Sequence, residues 1–241
     1  LILGPLGFNV GTVFSTIIVS AYEYFGWIAT GLLAAVLPLM VVTGMHKAML
    51  PYAISAMGEF GAEMLYLPAS LAHNIAESGA CFAVSIKTKD KELKATSISA
   101  GISALFGITE PALYGVTVIH KKVLYSVMAS SLLGGIAARL FSLKAFALVG
   151  PGLASITMFA DESNPMNLIW AFSTLGISFV SAFIFVIVSF KDSEEVIIRN
   201  DINSLENLNE SLVSPVFGEV ISLDQVNDEV FSSGMVGEGV G

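Results

Sequence analysis

Residues Leu168 to Phe190 run for 23 positions without one charged side chain. Coiled as an α-helix, a run of that length reaches about 34 Å, enough to cross the ~30 Å hydrocarbon core of a bilayer. Few soluble folds accommodate such a segment, so it constrains the rest of the chain toward a membrane architecture. Other apolar stretches agree with it. Phe8 to Tyr22 and Trp27 to Val42 lie on either side of Glu23, Tyr24 and Gly26, each near the lower length limit for a span, with Tyr22, Tyr24, Phe25 and Trp27 suited to an interface. The alternative for this pair is a helical hairpin buried in a soluble core. Leu65 to Ile86 is longer, and Val123 to Ala138 carries Ser130-Ser131 and Gly134-Gly135, small residues that allow close helix approach.

Composition decides between those readings. Hydrophobic residues make up 54% of the chain and charged residues 13%, with mean hydropathy +0.78, against roughly a quarter charged in a soluble domain. The fold class is therefore an all-α integral membrane protein with several spans. The acidity belongs to one end: residues 191–241 hold 11 acidic side chains against Lys191 and Arg199, a net of −9, so residues 1–190 balance. Residues 191–212 read as an acidic flexible linker. From residue 213 the texture changes to partly alternating Val, Ile and Leu between turn signals, a short β-prone tail. Cys81 is the lone cysteine, so no disulfide within the chain and no Cys-based metal cluster is expected. Leu1 opens mid-pattern with no signal peptide, which reads as a fragment lacking its upstream part.

Phe106 to Gly115 is the awkward stretch. It sets Glu110 in apolar sequence, between two glycines and directly before Pro111. Carboxylates at membrane depth are costly and face a polar cavity or pathway. Pro111 disfavours the α conformation at Glu110, so an unbroken helix is not expected there. Broken backbone at that depth must be buried in protein or line a cavity. The preceding segment, Ala95 to Leu105, is too short to span, the pattern of a re-entrant hairpin. Gly150-Pro151-Gly152 marks a second break within Ala145 to Ala160, and Asp161 to Asn167 reads as a polar turn.

Other polar residues carry two readings each. His46 and Lys47 sit together between Gly44 and Pro51; the imidazole suits a hydroxyl-rich ligand, while an interfacial His with a snorkelling Lys is equally consistent. No second His or Cys lies at ligand spacing from His46, so no metal is expected. His73, Asn74 and Glu77 form a polar stripe on an apolar helix, either lining a path or joining helices by hydrogen bonds, with Asn74 the better ligand candidate. Glu59 and Glu63 read as a solvated connection. Lys87 to Lys94 reads as a solvated, cytoplasmic loop, and His120-Lys121-Lys122 as an interface anchor.

Gly107-Ile108-Thr109-Glu110-Pro111-Ala112-Leu113-Tyr114-Gly115 resembles the signature of the membrane-embedded enzyme IIC component of sugar phosphotransferase systems, in the glucose/sucrose/β-glucoside superfamily. Thr43-Gly44-Met45-His46 is similar to that family's upstream element, and Asn74-Ile75-Ala76-Glu77 to its Asn-Ile-Ala segment. The three occur in the expected order. The resemblance covers nearly all of residues 1–190 and implies the C-terminal part of a IIC domain. Residues 213–241 resemble the opening of a fused glucose-type IIA domain, including Ser214-Pro215 and Gly237-Glu238-Gly239. That order is β-glucoside-like. The phosphocysteine of IIB and the phosphohistidine of IIA are absent from the sequence, and Cys81 matches neither.

The resemblance implies a bacterial plasma-membrane homodimer with a scaffold and a mobile, elevator-type sugar domain containing two re-entrant hairpins, the linker and tail being cytoplasmic. Sugar would cross and be phosphorylated by phosphorylated IIB, recharged by IIA. Glu110 would hold the accepting hydroxyl and act as its general base, His46 would bind or help deprotonate it, and Thr109, Thr43, Gly44 and Asn74 would line the sugar site. A β-glucoside, sucrose or trehalose would fit, with domain order favouring the first. No cofactor or nucleic-acid partner is expected. Two other readings stay open: a proton-coupled sugar transporter needing no phosphorylation, and a truncated, nonfunctional remnant.

Overall fold

The chain divides into two units, Leu1–Asn200 and Asp201–Gly241. The computed structural model describes residues 26–192, all within the first unit. The apolar run Phe8 to Tyr22, the aromatics Tyr22, Tyr24 and Phe25, the linker beyond Asp192 and the β-prone tail lie outside the described residues, as does the Trp27 side chain.

Every regular element described is helical. In order they are α1 (Trp27–Val42), a 3-10 turn (Met45–Met49), α2 (Leu50–Phe60), α3 (Tyr66–Lys87) and α4 (Lys91–Leu105). There follow α5 (Glu110–Ala112) with a π-helical turn (Leu113–Thr117), α6 (Lys121–Leu140), a 3-10 turn (Ile156–Phe159) and α7 (Met166–Ser189). The charge-free run that dominates the sequence is α7, whose 24 residues have mean hydropathy 2.3; α6, with 20 residues at 1.5, is also long and apolar enough to cross a membrane. The first is legible as a span in the sequence; Val123 to Ala138, within α6, reads there only as an apolar stretch suited to close helix packing. On α7, Val180, Ile184 and Val188 are 53%, 51% and 75% exposed. Their four-residue spacing puts them in one outward stripe, the kind of apolar surface that lipid solvates and water does not.

α3 is the axis of the bundle, flanked by α1, α4, α6 and α7. Its Pro68 falls in the first turn, where a missing N–H is harmless, and the helix runs on to Lys87. The N-terminal half of α3 packs into one core cluster with Leu33, Leu37 and Phe159; the C-terminal half packs into a second with Val116, Val127 and Val186. Small residues set the helix separations. A Cβ on Gly135 of α6 would lie 2.7 Å from the Thr30 carbonyl oxygen and 2.8 Å from the Gly31 Cα, and one on Gly79 of α3 would lie 2.4 Å from the Phe179 carbonyl oxygen. Backbones touch at these crossings, as close packing without a hydrophobic driving force requires.

Two loops expected to be merely solvated are tied down. Glu63 is fully buried, and its Oε1 accepts from the N–H groups of Leu65 and Tyr66 (2.6 and 2.7 Å) while Oε2 accepts from Leu67 (2.6 Å). It satisfies the orphan donors of the first turn of α3 and complements the positive end of its dipole. Glu59 is exposed, as expected. In the 88–90 connection, Asp90 caps α4 by accepting from Glu92 and Leu93, while Asp192 accepts from the Thr88 hydroxyl and the Lys89 N–H, each at 2.8 Å. Lys87 Nζ donates to the Ile187 carbonyl. The loop is thus fastened to the end of α7. His120 precedes α6 and packs edge-on against Phe190 at 5.3 Å; this partial burial lowers its pKa from the ordinary imidazole value.

Candidate functional site

The helix break at the Glu110 motif falls just before the carboxylate. α4 ends at Leu105, and the Gly107 and Ile108 N–H groups turn back onto Ala104 and Ser103 (2.9 and 3.0 Å). Gly107 has φ 90, a left-handed conformation that side chains disfavour. Helix resumes at Glu110, with Pro111 in the first turn where proline is tolerated. Pro111 therefore does not keep Glu110 itself out of the helix, as the sequence argument expected; it sits where its missing N–H has no partner to lose. The π-helical turn follows, and the Tyr114 hydroxyl donates to the Val42 carbonyl (3.3 Å) at the end of α1.

Gly150-Pro151-Gly152 docks onto that break. A Cβ on Gly152 would meet the Gly107 nitrogen and the Phe106 carbonyl carbon at 2.6 Å each, and Leu153 N–H donates to Leu105 O at 2.8 Å. Only glycine permits this approach. Asn74 on α3 donates from Nδ2 to Pro151 O at 2.7 Å, in a buried setting. Two interruptions far apart in sequence are one structural feature, and Asn74 locks it.

Beside this junction lies a cavity of about 300 Å³. Glu110 and Thr109 border it from the break, His73 and Asn74 from α3, and His46 and Lys47 from the 3-10 turn. Glu110 is exposed on the cavity side and Thr109 is buried. His46 lies within electrostatic reach of Glu110, and its Nδ1 is buried without a hydrogen-bond partner. The set combines an anionic acceptor, a cationic donor, an imidazole, an amide and a hydroxyl, which matches a ligand that both donates and accepts hydrogen bonds.

Four of the six residues singled out from sequence, Glu110, His46, Thr109 and Asn74, therefore border one cavity. Thr43 and Gly44 are not among the residues that line it. The Thr43 hydroxyl donates back to Leu39 O and Met40 O (3.0 and 3.2 Å), closing the end of α1. Gly44, at φ 74, makes the left-handed turn that delivers His46. The polar stripe on α3 does both things open to it: His73 and Asn74 face the cavity, while Glu77 accepts from the Thr117 hydroxyl of the π-helical turn. Sequence reasoning missed Lys47 as a cavity residue and Glu63 as the cap that fixes α3. Among the described residues no group of three His, Cys, Asp or Glu side chains is placed to hold a metal.

The family model described as "Phosphotransferase system, EIIC" matches residues 1–134. The chain belongs to the phosphotransferase system EIIC family. The EIIC match includes His46, Asn74 and Glu110 and stops short of the 150–152 loop. A second model, "phosphoenolpyruvate-dependent sugar phosphotransferase system, EIIA 1", matches residues 210–241. The resemblance read from the motifs is thus borne out for both the EIIC part and the start of an EIIA domain. Among curated relatives, the arbutin-, cellobiose-, and salicin-specific EIIBC component of Escherichia coli (strain K12) is 34% identical over 80% of this chain and 40% of its own length. The beta-glucoside-specific EIIBCA component of Bacillus subtilis (strain 168) is 32% identical over 98% of this chain and 38% of its own. The sucrose-specific EIIBC component of Pasteurella multocida (strain Pm70) is 28% identical over 74% and 38%. The chain spans about 40% or less of the length of these EIIBC and EIIBCA relatives. No solved structure matches it significantly.

Proposed function

We propose that this chain is the sugar-handling part of an EIIC permease, which carries a β-glucoside through the bacterial plasma membrane and presents it to a phosphorylated EIIB domain. The observation that carries the reading is the convergence of Glu110, His46, Thr109 and Asn74 on one cavity at the junction of two broken segments. Broken backbone that lines a cavity is how membrane transporters build a polar site within apolar surroundings.

A sugar hydroxyl is a poor nucleophile toward a phosphocysteine. Glu110 accepts its hydrogen bond and then its proton as the phosphoryl group arrives, and His46 holds the same hydroxyl in line. Positioning and electrostatics supply most of the catalysis in phosphoryl transfer, and Lys47 at the rim offers a charge to the incoming phosphoryl oxygens. Thr109 and the free face of Asn74 contact further hydroxyls. Thr43 and Gly44 act through the turn that orients His46. A β-glucoside is favoured because relatives of both EIIBC and EIIBCA type carry that specificity in their names, although sucrose-specific relatives are also similar.

The same reading divides the chain into an EIIC part at 1–190, a cytoplasmic linker at 191–212 and the opening of an EIIA-like domain at 213–241. α4, about 22 Å long and too short to span, is one arm of a re-entrant hairpin whose tip is the Gly107 break. The 145–160 segment approaches from the other broken region, and the whole moves as the sugar-carrying unit of an elevator-type homodimer. The test is uptake into vesicles bearing the intact protein with phosphorylated EIIB and EIIA. The expected result is salicin or cellobiose accumulating as its phosphate, with no uptake when EIIB is unphosphorylated. Entry of unmodified sugar driven by a proton gradient would overturn the proposal.

A further inference from the structure

His73 is 1% exposed, borders the sugar cavity, and has no hydrogen-bond partner on either Nδ1 or Nε2. A neutral imidazole left so in a dry core forfeits both its donor and its acceptor, and each unmade bond of a buried group is destabilising. The surrounding protein does not supply the missing partners. Asn74, its neighbour, has its amide nitrogen committed to Pro151 O; Glu77, one turn on, accepts from Thr117 through Oε2, and its Oε1 is buried without a partner and makes no bond to the ring. His73 thus lines the cavity as a buried residue whose two polar atoms are both uncommitted.

Resting on the function proposed above, we infer that His73 is a sugar-binding residue of the cavity, one nitrogen donating to and the other accepting from hydroxyls of the bound glycoside. Imidazole is matched to this task because a neutral ring has one donor and one acceptor, as each sugar hydroxyl does. The arrangement also divides labour on α3. Asn74 holds the 150–152 loop through its amide nitrogen and has only its oxygen left for the ligand, whereas His73 has both ring nitrogens. Because sites built to bond a hydroxyl reject analogues that lack it, His73 also selects among glycosides by the position of their hydroxyls.

The experiment measures salicin, cellobiose and sucrose binding to the intact protein in lipid nanodiscs, for wild type and His73→Phe. His73→Phe is expected to weaken binding of the preferred sugar about tenfold, the equivalent of one to two neutral hydrogen bonds, while thermal stability holds or rises because two unpartnered polar atoms are gone. Wild-type affinity in His73→Phe overturns the inference and leaves the function intact, as would be found if an ordered water rather than the sugar met the ring. Failure of the wild type to bind any of the three sugars overturns both. Should His73→Phe not fold, the ring 15N shifts of His73 in wild type are read instead, assigned as the imidazole signals lost in His73→Gln. Movement on adding sugar supports the inference, and unchanged shifts overturn it.

Discussion

Replacing Glu63 with alanine is expected to loosen the helix that carries the cavity wall. The carboxylate is wholly buried and takes three backbone N–H bonds of 2.6 to 2.7 Å from Leu65, Tyr66 and Leu67. Glu63 also pairs with Ala145 through its own backbone, N–H to O at 2.9 Å and the reverse at 2.8 Å, and those bonds survive the substitution. The variant therefore isolates the side chain. An ordinary N-cap replaced by alanine loses about 0.5–2 kcal/mol. Here three buried donors are stranded, each worth roughly 1–3 kcal/mol; relief of the buried charge and entry of water offset part of that, leaving a loss of about 3–5 kcal/mol. Glu63→Gln keeps one oxygen facing Leu65 and Tyr66 but turns an NH2 toward the Leu67 donor, so about half of the loss is expected. The assay is equilibrium unfolding in mixed micelles, followed by far-ultraviolet circular dichroism. A Glu63→Ala protein as stable as wild type, or a Gln variant less stable than the Ala variant, would refute the capping argument.

Three further outcomes follow from the same geometry. Gly135→Ala should destabilise by about 1–3 kcal/mol through overpacking against the backbone of α1, whereas Gly176→Ala, with nothing within 4 Å of the added Cβ, should be neutral or stabilising in the same unfolding assay. Asn74→Ala should free Pro151 and speed amide exchange at Leu153, measured by hydrogen–deuterium exchange; unchanged protection would show that the Asn74 bond does not hold the loop. His46→Ala should weaken sugar binding about fivefold to tenfold and slow phosphorylation in the vesicle assay, and unchanged values for both would return His46 to an interfacial role.

What could be read from the residues alone followed from local physics. Leu168 to Phe190 had to be a helix because nothing in it interrupts an apolar helical run, and an interruption near Pro111 was legible, although Pro111 pointed to Glu110 and the left-handed turn lies at Gly107. The small residues of α6 announced close packing for the same reason. What stayed hidden depends on parts of the chain meeting in space. No spacing rule joins Gly150-Pro151-Gly152 to Gly107, since the contact is made by carbonyls and missing Cβ atoms. Glu63 looked solvated because it follows Glu59 and two glycines, yet the bundle closes over it and turns it toward the start of α3. Thr43 looked available as a ligand, but its hydroxyl is satisfied by its own helix. His73 was outweighed by Asn74 on donor and acceptor count, and only the structure tells which of the two is already bonded.

The central claim is that the cavity beside the Gly107 break holds a sugar and that Glu110 prepares its hydroxyl for phosphorylation. Single-turnover transfer from phosphorylated EIIB to salicin, with wild type and Glu110→Gln in nanodiscs, tests it most directly. The expected result is a rate reduced by about a hundredfold or more in Glu110→Gln, the scale of a lost general base, with the protein folded and membrane-inserted. Transfer at the wild-type rate in that variant would contradict the account.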